Sequence, residues 1–256
     1  MIGLIKDLDV HQTYGIGLLF RFIIECLYKA DIEGCKPYVC LNNPRSAFYE
    51  PERGPDIWSY YFLPIGEATE EESILVSPSA GRSDDRGIHL TGKIPWDRYK
   101  IETAHKIYKK YVKLRPEIEK LIDEFSTKLD DNTLCIHLRG TDECENPIVQ
   151  DSHILKTTNK VLLEHNIKKI FLMTDDLYFL DFMKHNYPQQ LIYRDIKRGK
   201  RHEGLHKIKL EPPYIIGLNA VIDAFCGARC AHYLYTKSNF ATMPMIVGEF
   251  KSIRIF

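Results

Sequence analysis

An arginine and several oxygen-bearing side chains follow the apolar run Thr133 to Leu138, which is typical of a buried strand. The run continues into Arg139, Gly140, Thr141 and Asp142. A planar guanidinium can bind two phosphate oxygens at once and stays charged, and a neighbouring glycine lets the backbone approach closely. The pattern predicts that Arg139 binds an anion such as a diphosphate, with Asp142 as its orienting partner or as a base. A simple Arg–Asp ion pair at a strand end is the alternative.

A second polar cluster follows the apolar run Ile170 to Met173 and consists of Thr174, Asp175 and Asp176. A helical pattern begins directly after it, and Thr or Asp at such a position commonly caps the helix by accepting a hydrogen bond from its first turn. Capping is compatible with a role in a binding cleft, because one residue can cap the helix while its neighbour faces the ligand.

A third cluster begins with Asp223, which lies within the apolar run 220–225. A buried carboxylate is costly without a hydrogen-bond donor, and the N1–N2 edge of guanine offers two donors. An exposed position on an amphipathic helix is the alternative. Thirteen residues later, a predicted strand ends in Thr236, Lys237, Ser238 and Asn239. A helix predicted over 238–247 would add its N-terminus to these hydroxyl and amide groups, which favours anion binding.

The elements that would position these clusters alternate between strands and helices. Near the start, a strand over 2–5 leads to Gly15 and Gly17, an apolar helix over 18–30 and a strand over 37–41. Helical periodicity over 103–128 is interrupted at Pro116. The second half predicts strands at 133–138, 170–173, 191–193 and 233–235, and helices at 154–165, 177–185, 217–227 and 238–247.

This order is typical of an α/β protein with parallel sheets, in which ligands bind beyond the carboxyl ends of the strands. We expect two Rossmann-like domains in a compact arrangement. Residues 1–125 would form an N-terminal α/β domain, and residues 126–256 a C-terminal Rossmann-like domain.

Composition narrows the functional classes. Lys+Arg and Asp+Glu both number 35, so no global basic field favours nucleic acid or an anionic membrane surface. No apolar run approaches the ~18 residues of a transmembrane segment, and the start lacks a signal-peptide pattern. The seven cysteines include no CxxC pair and lie mostly in apolar runs. We expect a cytoplasmic protein, with peripheral membrane association left open.

The basic run 197–202 is either a phosphate contact or a solvated loop.

In their order and spacing, the three clusters resemble those of the fucosyltransferase superfamily, which includes α-1,6- and α-1,2-fucosyltransferases and protein O-fucosyltransferases. The matching runs are 137–142, 171–176 and 217–239, and the aromatic stretch 58–62 is similar to a segment of related enzymes. The resemblance implies a GT-B glycosyltransferase that binds its donor between two Rossmann-type domains. On this pattern, the N-terminal domain 1–125 would be the acceptor side, and the C-terminal domain 126–256 would bind the nucleotide sugar. It implies inverting, metal-independent transfer of L-fucose from GDP-fucose to a glycan or another hydroxyl acceptor, with no cofactor beyond the donor.

The resemblance also implies residue roles. Arg139 would bind the β-phosphate and stabilise the leaving diphosphate, His137 would shape that pocket, and Asp223 would recognise guanine. Ser238 and Asn239 would contact phosphate. The full set of candidate donor-binding residues is Gly15, Gly17, His137, Arg139, Thr174, Asp175, Asp176, Asp223, Thr236, Lys237, Ser238 and Asn239. Because Leu18 follows the Gly15–Gly17 turn where relatives often have Asn, a contact from this turn would involve backbone only.

Several alternatives stay open. The catalytic base is Asp142, Glu145 or Asp151 on this pattern. The aromatic residues Trp58, Tyr60, Tyr61 and Phe62 either stack on a sugar ring or fill a core. A non-catalytic GDP-sugar-binding module and a nucleotide-sugar epimerase or hydrolase are the alternative functions. The Asp7-Leu8-Asp9 run comes too early for a metal-dependent transferase, and Gly15-Ile16-Gly17 lacks the third glycine of a dinucleotide-binding motif.

Overall fold

The computed structural model describes residues 2–6, 15–34, 36–66, 73–75, 98–140, 149–200, 203 and 210–256. Two parallel sheets organise them. The N-terminal sheet contains β1 (Ile2–Lys6), β2 (Lys36–Cys40) and β3 (Ser73–Leu75) in the order β2-β1-β3. Helix α1 (Ile16–Ile32) connects β1 to β2, as parallel pairing requires.

The C-terminal sheet has five parallel strands in the order β6-β5-β4-β7-β8. Its strands are β4 (Thr133–His137), β5 (Lys169–Met173), β6 (Leu191–Tyr193), β7 (His232–Tyr235) and β8 (Ser252–Ile255). The chain adds β5 and β6 on one side of β4 and then β7 and β8 on the other. This reversal makes the carboxyl ends of β4 and β7 a topological switch point, the usual place for a ligand in such a sheet.

Helices cover both faces of this sheet, so every residue of β4 is buried. The helices after β3 are α2 (Arg98–Tyr111), α3 (Pro116–Ser126), α4 (Asp151–Glu164), α5 (Leu177–Asn186), α6 (Pro213–Gly227) and α7 (Thr242–Val247). Pro116 occupies the first turn of α3, where its missing N–H costs nothing, and this separates α3 from α2.

A single apolar core connects the two halves of the chain. Helix α1 packs against α2, α6 and α7, and α3 packs against α6. The core therefore runs from Ile23 of α1 through Phe62 to Phe171 and Met173 of the C-terminal sheet. A second cluster, around Leu134 and Phe179, fills the other face of that sheet. The division into domains at 125 and 126 stays a prediction.

The predicted strands and helices are confirmed, most of them within a few residues, apart from the C-terminal segment, and strand β3 was not predicted. The final helix begins at Thr242 instead of Ser238, and strand β8 was not predicted. Strand β8 alternates half-buried and exposed residues at the edge of the sheet, which leaves only a weak hydrophobic signal in the sequence.

Candidate functional site

Arg139 lies at the switch point between β4 and β7. Its backbone N–H donates to Thr236 Oγ1 at 2.9 Å, and Thr236 N–H donates to the His137 carbonyl at 2.9 Å. The Thr236 side chain thus joins the ends of β4 and β7 directly after the last backbone pair of the two strands. Arg139 itself is half-buried, and Thr236 is buried. The first and third predicted clusters therefore meet, and Thr236 holds them together.

The second cluster borders the same edge. Asp176 Oδ1 accepts from Tyr178 N–H at 2.9 Å, and Thr174 Oγ1 accepts from Asp176 N–H at 3.2 Å. Asp176 is fully buried and caps α5, so the capping interpretation is confirmed for this residue. Asp175 is half-buried, and its carbonyl accepts from Gly199 N–H at 2.9 Å. The capping role of Asp176 is thus confirmed, and the donor contact of Asp175 stays a prediction.

The basic run contains a structural arginine. The guanidinium of Arg198 donates to three carbonyls, those of Thr174 at 3.0 Å, Ile196 at 3.0 Å and Arg194 at 2.8 Å. Burial lowers the pKa of Arg198, and nearby Asp223 acts in the opposite direction. Arg198 therefore connects the segment after β6 to the end of β5. The two lysines of the run, Lys197 and Lys200, are exposed. Arg201 and His202 lie outside the described residues.

Asp223 is buried with a cationic partner from the protein. It is 6% exposed, and its Oδ1 lies 3.1 Å from Nη1 of Arg194. Arg194 also donates to the carbonyl and the side-chain oxygen of Asn219, at 2.8 Å and 2.9 Å. Burial raises the pKa of Asp223, and the charge of Arg194 opposes that rise. The exposed-helix interpretation is wrong, and the predicted guanine contact would have to share this carboxylate with Arg194.

The turn after β7 differs from the predicted helix start. Ser238 Oγ accepts from Ala241 N–H at 3.0 Å, and the Asn239 carbonyl accepts from Thr242 N–H at 3.3 Å. The predicted helix N-terminus at Ser238 is wrong, because residues 238–241 form hydrogen-bonded turns before α7 begins. Ser238 is buried, Lys237 is half-buried, and Asn239 is exposed. The side chain of Ser238 therefore stabilises the turn, which leaves its phosphate contact a prediction.

An arginine that the sequence did not single out contacts this turn. Arg21 of α1 is 7% exposed, and its Nη1 donates to Asn239 Oδ1 at 2.8 Å. Its Nε lies 3.5 Å from Oε1 of Glu25, one helical turn away. The available signal was a charged pair inside the apolar segment 16–30, because such charges are rarely buried without a purpose.

The two glycines before α1 occupy different environments. A Cβ at Gly17 would lie 2.5 Å from Cα of Phe240, so the backbone of α1 contacts the turn after β7 directly. A Cβ at Gly15 would meet no atom of the described residues within 4 Å. Gly17 therefore lies against the third cluster, Gly15 begins the helix, and the predicted backbone contact of this turn with the donor stays a prediction.

His137 is a buried, neutral imidazole. Burial lowers its pKa to about 3, the charge of Arg139 acts in the same direction, and a hydrogen bond with the Thr236 backbone opposes both. Its ring centroid lies 5.2 Å from that of Phe240, and among the described residues Nδ1 has no hydrogen-bond partner. His137 thus presents an uncharged ring beside Arg139.

The candidate bases are only partly described. Thr141, Asp142 and Glu145 lie outside the described residues. Asp151 begins α4, and its carboxylate accepts a hydrogen bond from the Tyr178 hydroxyl of α5. Since α5 starts at the carboxyl end of β5, Asp151 lies on the cleft side of the C-terminal sheet.

The aromatic stretch fills the core. Trp58, Tyr60, Tyr61 and Phe62 are each at most 5% exposed, and the rings of Trp58 and Phe62 stack with centroids 4.2 Å apart. Tyr61 stacks on Tyr214 of α6 at 5.6 Å. The core interpretation is confirmed, and stacking of these rings on an acceptor sugar is ruled out by their burial.

The described residues hold neither a metal-binding cluster nor a membrane-spanning helix. They contain no group of three or more His, Cys, Asp or Glu side chains placed to hold a metal ion. Within the same residues, no helix has the length and apolar character needed to cross a membrane.

The fold is similar to that of the fucosyltransferase NodZ from Bradyrhizobium, with a TM-score of 0.58, 14% sequence identity, and 97% of this chain and 94% of that chain covered. NodZ α-1,6-fucosyltransferase soaked with GDP-fucose gives a TM-score of 0.60 at 14% identity, covering 97% and 93%. The same enzyme co-crystallised with GDP gives 0.58 at 15% identity, with the same coverage. No family model and no curated protein matches the sequence. The resemblance is therefore confirmed at the level of the fold.

Proposed function

We propose that this protein is a GT-B glycosyltransferase that transfers L-fucose from GDP-fucose to a glycan or another hydroxyl acceptor. The observation that carries the proposal is Arg139, whose backbone is held at the switch point of a fold shared with NodZ over 97% of the chain. The donor would lie between the two sheets, with its diphosphate at the ends of β4 and β7. The N-terminal half would bind the acceptor.

Arg139 would stabilise the leaving group. Breaking the bond between the sugar and the diphosphate leaves negative charge on the β-phosphate, and a guanidinium already in position stabilises that charge more than it stabilises the bound donor. The hydrogen bond from Arg139 N–H to Thr236 fixes the backbone from which this side chain extends. A fixed cation of this kind would perform the charge neutralisation that other transferases obtain from a metal.

His137 would line the phosphate pocket without adding charge. With a pKa near 3, it is neutral at physiological pH and would not compete with Arg139 for the diphosphate or donate a proton to it. Asp223 would recognise guanine through the carboxylate that Arg194 also contacts. The base that deprotonates the acceptor hydroxyl would be Asp142, Glu145 or Asp151, and its attack opposite the diphosphate would invert the anomeric centre.

GDP binding tests the proposal. We expect calorimetry to detect binding of GDP and GDP-fucose to the native protein, and Arg139→Ala to abolish it. Arg229→Ala is the matched control, because Arg229 pairs with exposed Asp123 and precedes β7, at the opposite end of the strand from Thr236. Absence of GDP binding at about millimolar concentration, a free energy of roughly −4 kcal/mol, would refute the donor assignment.

Release of GDP from GDP-fucose distinguishes the functions. A transferase releases GDP only when an acceptor is present, a hydrolase releases it without one, and a binding module never releases it. Replacing Asp142, Glu145 and Asp151 one at a time by the matching amide should identify the base, because that variant alone would bind GDP normally and lose turnover.

A further inference from the structure

Arg21 carries a buried charge that the proposed chemistry leaves unexplained. It belongs to α1 of the N-terminal half, yet its hydrogen bond goes to Asn239, 218 residues away in the turn after β7. Within the part of the chain that the structure describes, its Nε makes no hydrogen bond and Glu25 Oε1 accepts none. Burying a poorly compensated ion pair costs stability, which favours a role other than folding.

The atom assignment at Asn239 follows from the chemistry of the guanidinium. Arginine has only donors, so the atom that faces Nη1 at 2.8 Å must be the amide oxygen of Asn239. The amide nitrogen then points away from Arg21. Because Asn239 is exposed while Arg21 is 7% exposed, the oxygen faces the protein and the two N–H groups face outward.

The backbone geometry aligns this contact with one face of α1. Gly17, Arg21 and Glu25 are spaced by four residues and share that face. At Gly17 the helix approaches the turn so closely that a Cβ would lie 2.5 Å from Cα of Phe240 and 3.0 Å from the carbonyl oxygen of Asn239. One turn further along, Arg21 is therefore held at hydrogen-bond distance from the Asn239 side chain.

We propose that Arg21 is a positioning residue of the donor site, which fixes the Asn239 amide so that its N–H groups face the donor diphosphate. This proposal rests on the proposed function. Asn239 then supplies neutral donors beside Arg139, and the positive charge of Arg21 polarises that amide towards an anion. The N-terminal half thus contributes to donor binding through a side chain that never contacts the donor.

The neighbours of the Arg21 guanidinium determine which interactions a substitution at this position would remove. Glu25 lies on the same helix, the Arg21 guanidinium lies 5.4 Å from the ring centroid of Phe22, and Asn239 is the contact from the opposing turn. Burial raises the pKa of Glu25 to about 7, and Arg21 opposes that rise. Substitutions at Arg21 should therefore be compared at one fixed pH.

A double-mutant cycle on GDP affinity tests the role. We expect Arg21→Met and Asn239→Ala each to weaken GDP binding about tenfold, the size of one lost hydrogen bond to a charged group. The double variant should bind no more weakly than Asn239→Ala, because Arg21 acts through Asn239. Arg21→Lys should recover part of the affinity, and Arg229→Met should leave it unchanged.

The variant Asn239→Asp distinguishes a loss of the amide N–H donors from a loss of folding stability. It keeps an acceptor for Arg21 and removes both N–H donors, so GDP affinity should fall at least as far as in Asn239→Ala while Tm is maintained. Because Asn239 is exposed, its variants should fold, and their GDP affinity tests the proposal even if Arg21→Met fails to fold. Full GDP affinity in the Asn239 variants, or an undiminished Arg21→Met effect in the Asn239→Ala background, overturns the proposal. Failure of the native protein to bind GDP would instead overturn the donor assignment, and the role of Arg21 with it.

Discussion

The backbone of Gly140 lies directly against the carboxylate of Asp176: a Cβ at residue 140 would be 2.2 Å from Oδ2 of Asp176 and 2.7 Å from Cε2 of Phe179. Asp176 is fully buried and caps α5, so it has little freedom to move aside. The turn that follows Arg139 therefore rests on the N-terminus of the helix after β5. This contact couples the position of the candidate phosphate-binding arginine to the second cluster.

Gly140→Ala should accordingly impair both stability and GDP binding. The added methyl overpacks a buried site, which typically costs about 1–3 kcal/mol, and the displaced turn carries Arg139 with it. Urea unfolding measures the first effect and calorimetry with GDP the second. Native stability together with native GDP affinity in this variant would contradict the contact.

The two glycines of α1 allow a matched comparison of the same substitution. Gly17→Ala places a methyl 2.5 Å from the Phe240 backbone, which has no rotamer to change, so α1 and the turn after β7 must separate. We expect a loss of about 2 kcal/mol or more in the free energy of unfolding.

Gly15→Ala serves as the control for that comparison. Its Cβ meets open space, and its φ of −71° suits any residue, so we expect a change within about 1 kcal/mol. Equal effects of the two substitutions on urea unfolding would show that α1 does not press on the turn after β7.

Strands and helices with strong periodicity were predictable from sequence because burial imposes the periodicity. Strand β4 is buried at every residue and has the apolar centre Leu134-Cys135-Ile136, and Pro116 marks the break before α3. The turn at 238–241 was not predictable, because Ser238 and Asn239 are as suitable for a turn as for the start of a helix. Their hydrogen bonds to Ala241 and Thr242 decide the outcome.

The candidate site residues that directly follow a strand could be predicted from the sequence. Arg139, Asp176 and Thr236 follow three strands, and parallel pairing brings such ends to one edge. Arg21 could not be assigned from sequence, since its partner Asn239 is 218 residues away and helical periodicity does not identify a distant contact. The partner of Asp223 was missed for the same reason, because Arg194 lies 29 residues earlier, directly after β6.

Glu25 should make stability depend on pH near neutrality. Its pKa rises from 4.5 to about 7 in the folded protein because burial disfavours the carboxylate. Between these values the unfolded chain releases the proton and the folded chain retains it, so the free energy of unfolding falls as pH rises from about 4.5 to 7. The total contribution is on the order of 3 kcal/mol.

Glu25→Gln should remove that dependence. Urea unfolding of the native protein and the variant at pH 5 and pH 8 gives the comparison, and the variant should gain stability relative to the native protein at the higher pH. An identical pH slope in the two proteins would show that Glu25 titrates normally.

Removing Arg194 should show how much the buried charge of Asp223 costs in folding stability. Arg194→Met removes the hydrogen-bonded cation and leaves only the more distant charge of Arg198, and breaking a buried pair typically costs about 3–5 kcal/mol. Arg194→Met with Asp223→Asn should be more stable than Arg194→Met alone, because the second change removes the uncompensated charge. Denaturation at neutral pH measures both variants, and additive losses would show that the pair is not coupled.

His137 should make the protein sensitive to acid without contributing to the pH dependence of activity near neutrality. Its pKa falls from 6.5 to about 3 in the folded state, so below about pH 6.5 the unfolded chain binds a proton that the folded chain does not. Stability is therefore lost as pH falls, by about 2 kcal/mol between pH 6.5 and 5. His137→Gln lowers stability at every pH but cannot titrate, so its unfolding free energy should change less over this interval than that of the native protein. NMR of the His137 ring should show it neutral at pH 5, and a protonated ring there would contradict the burial that places it uncharged beside Arg139.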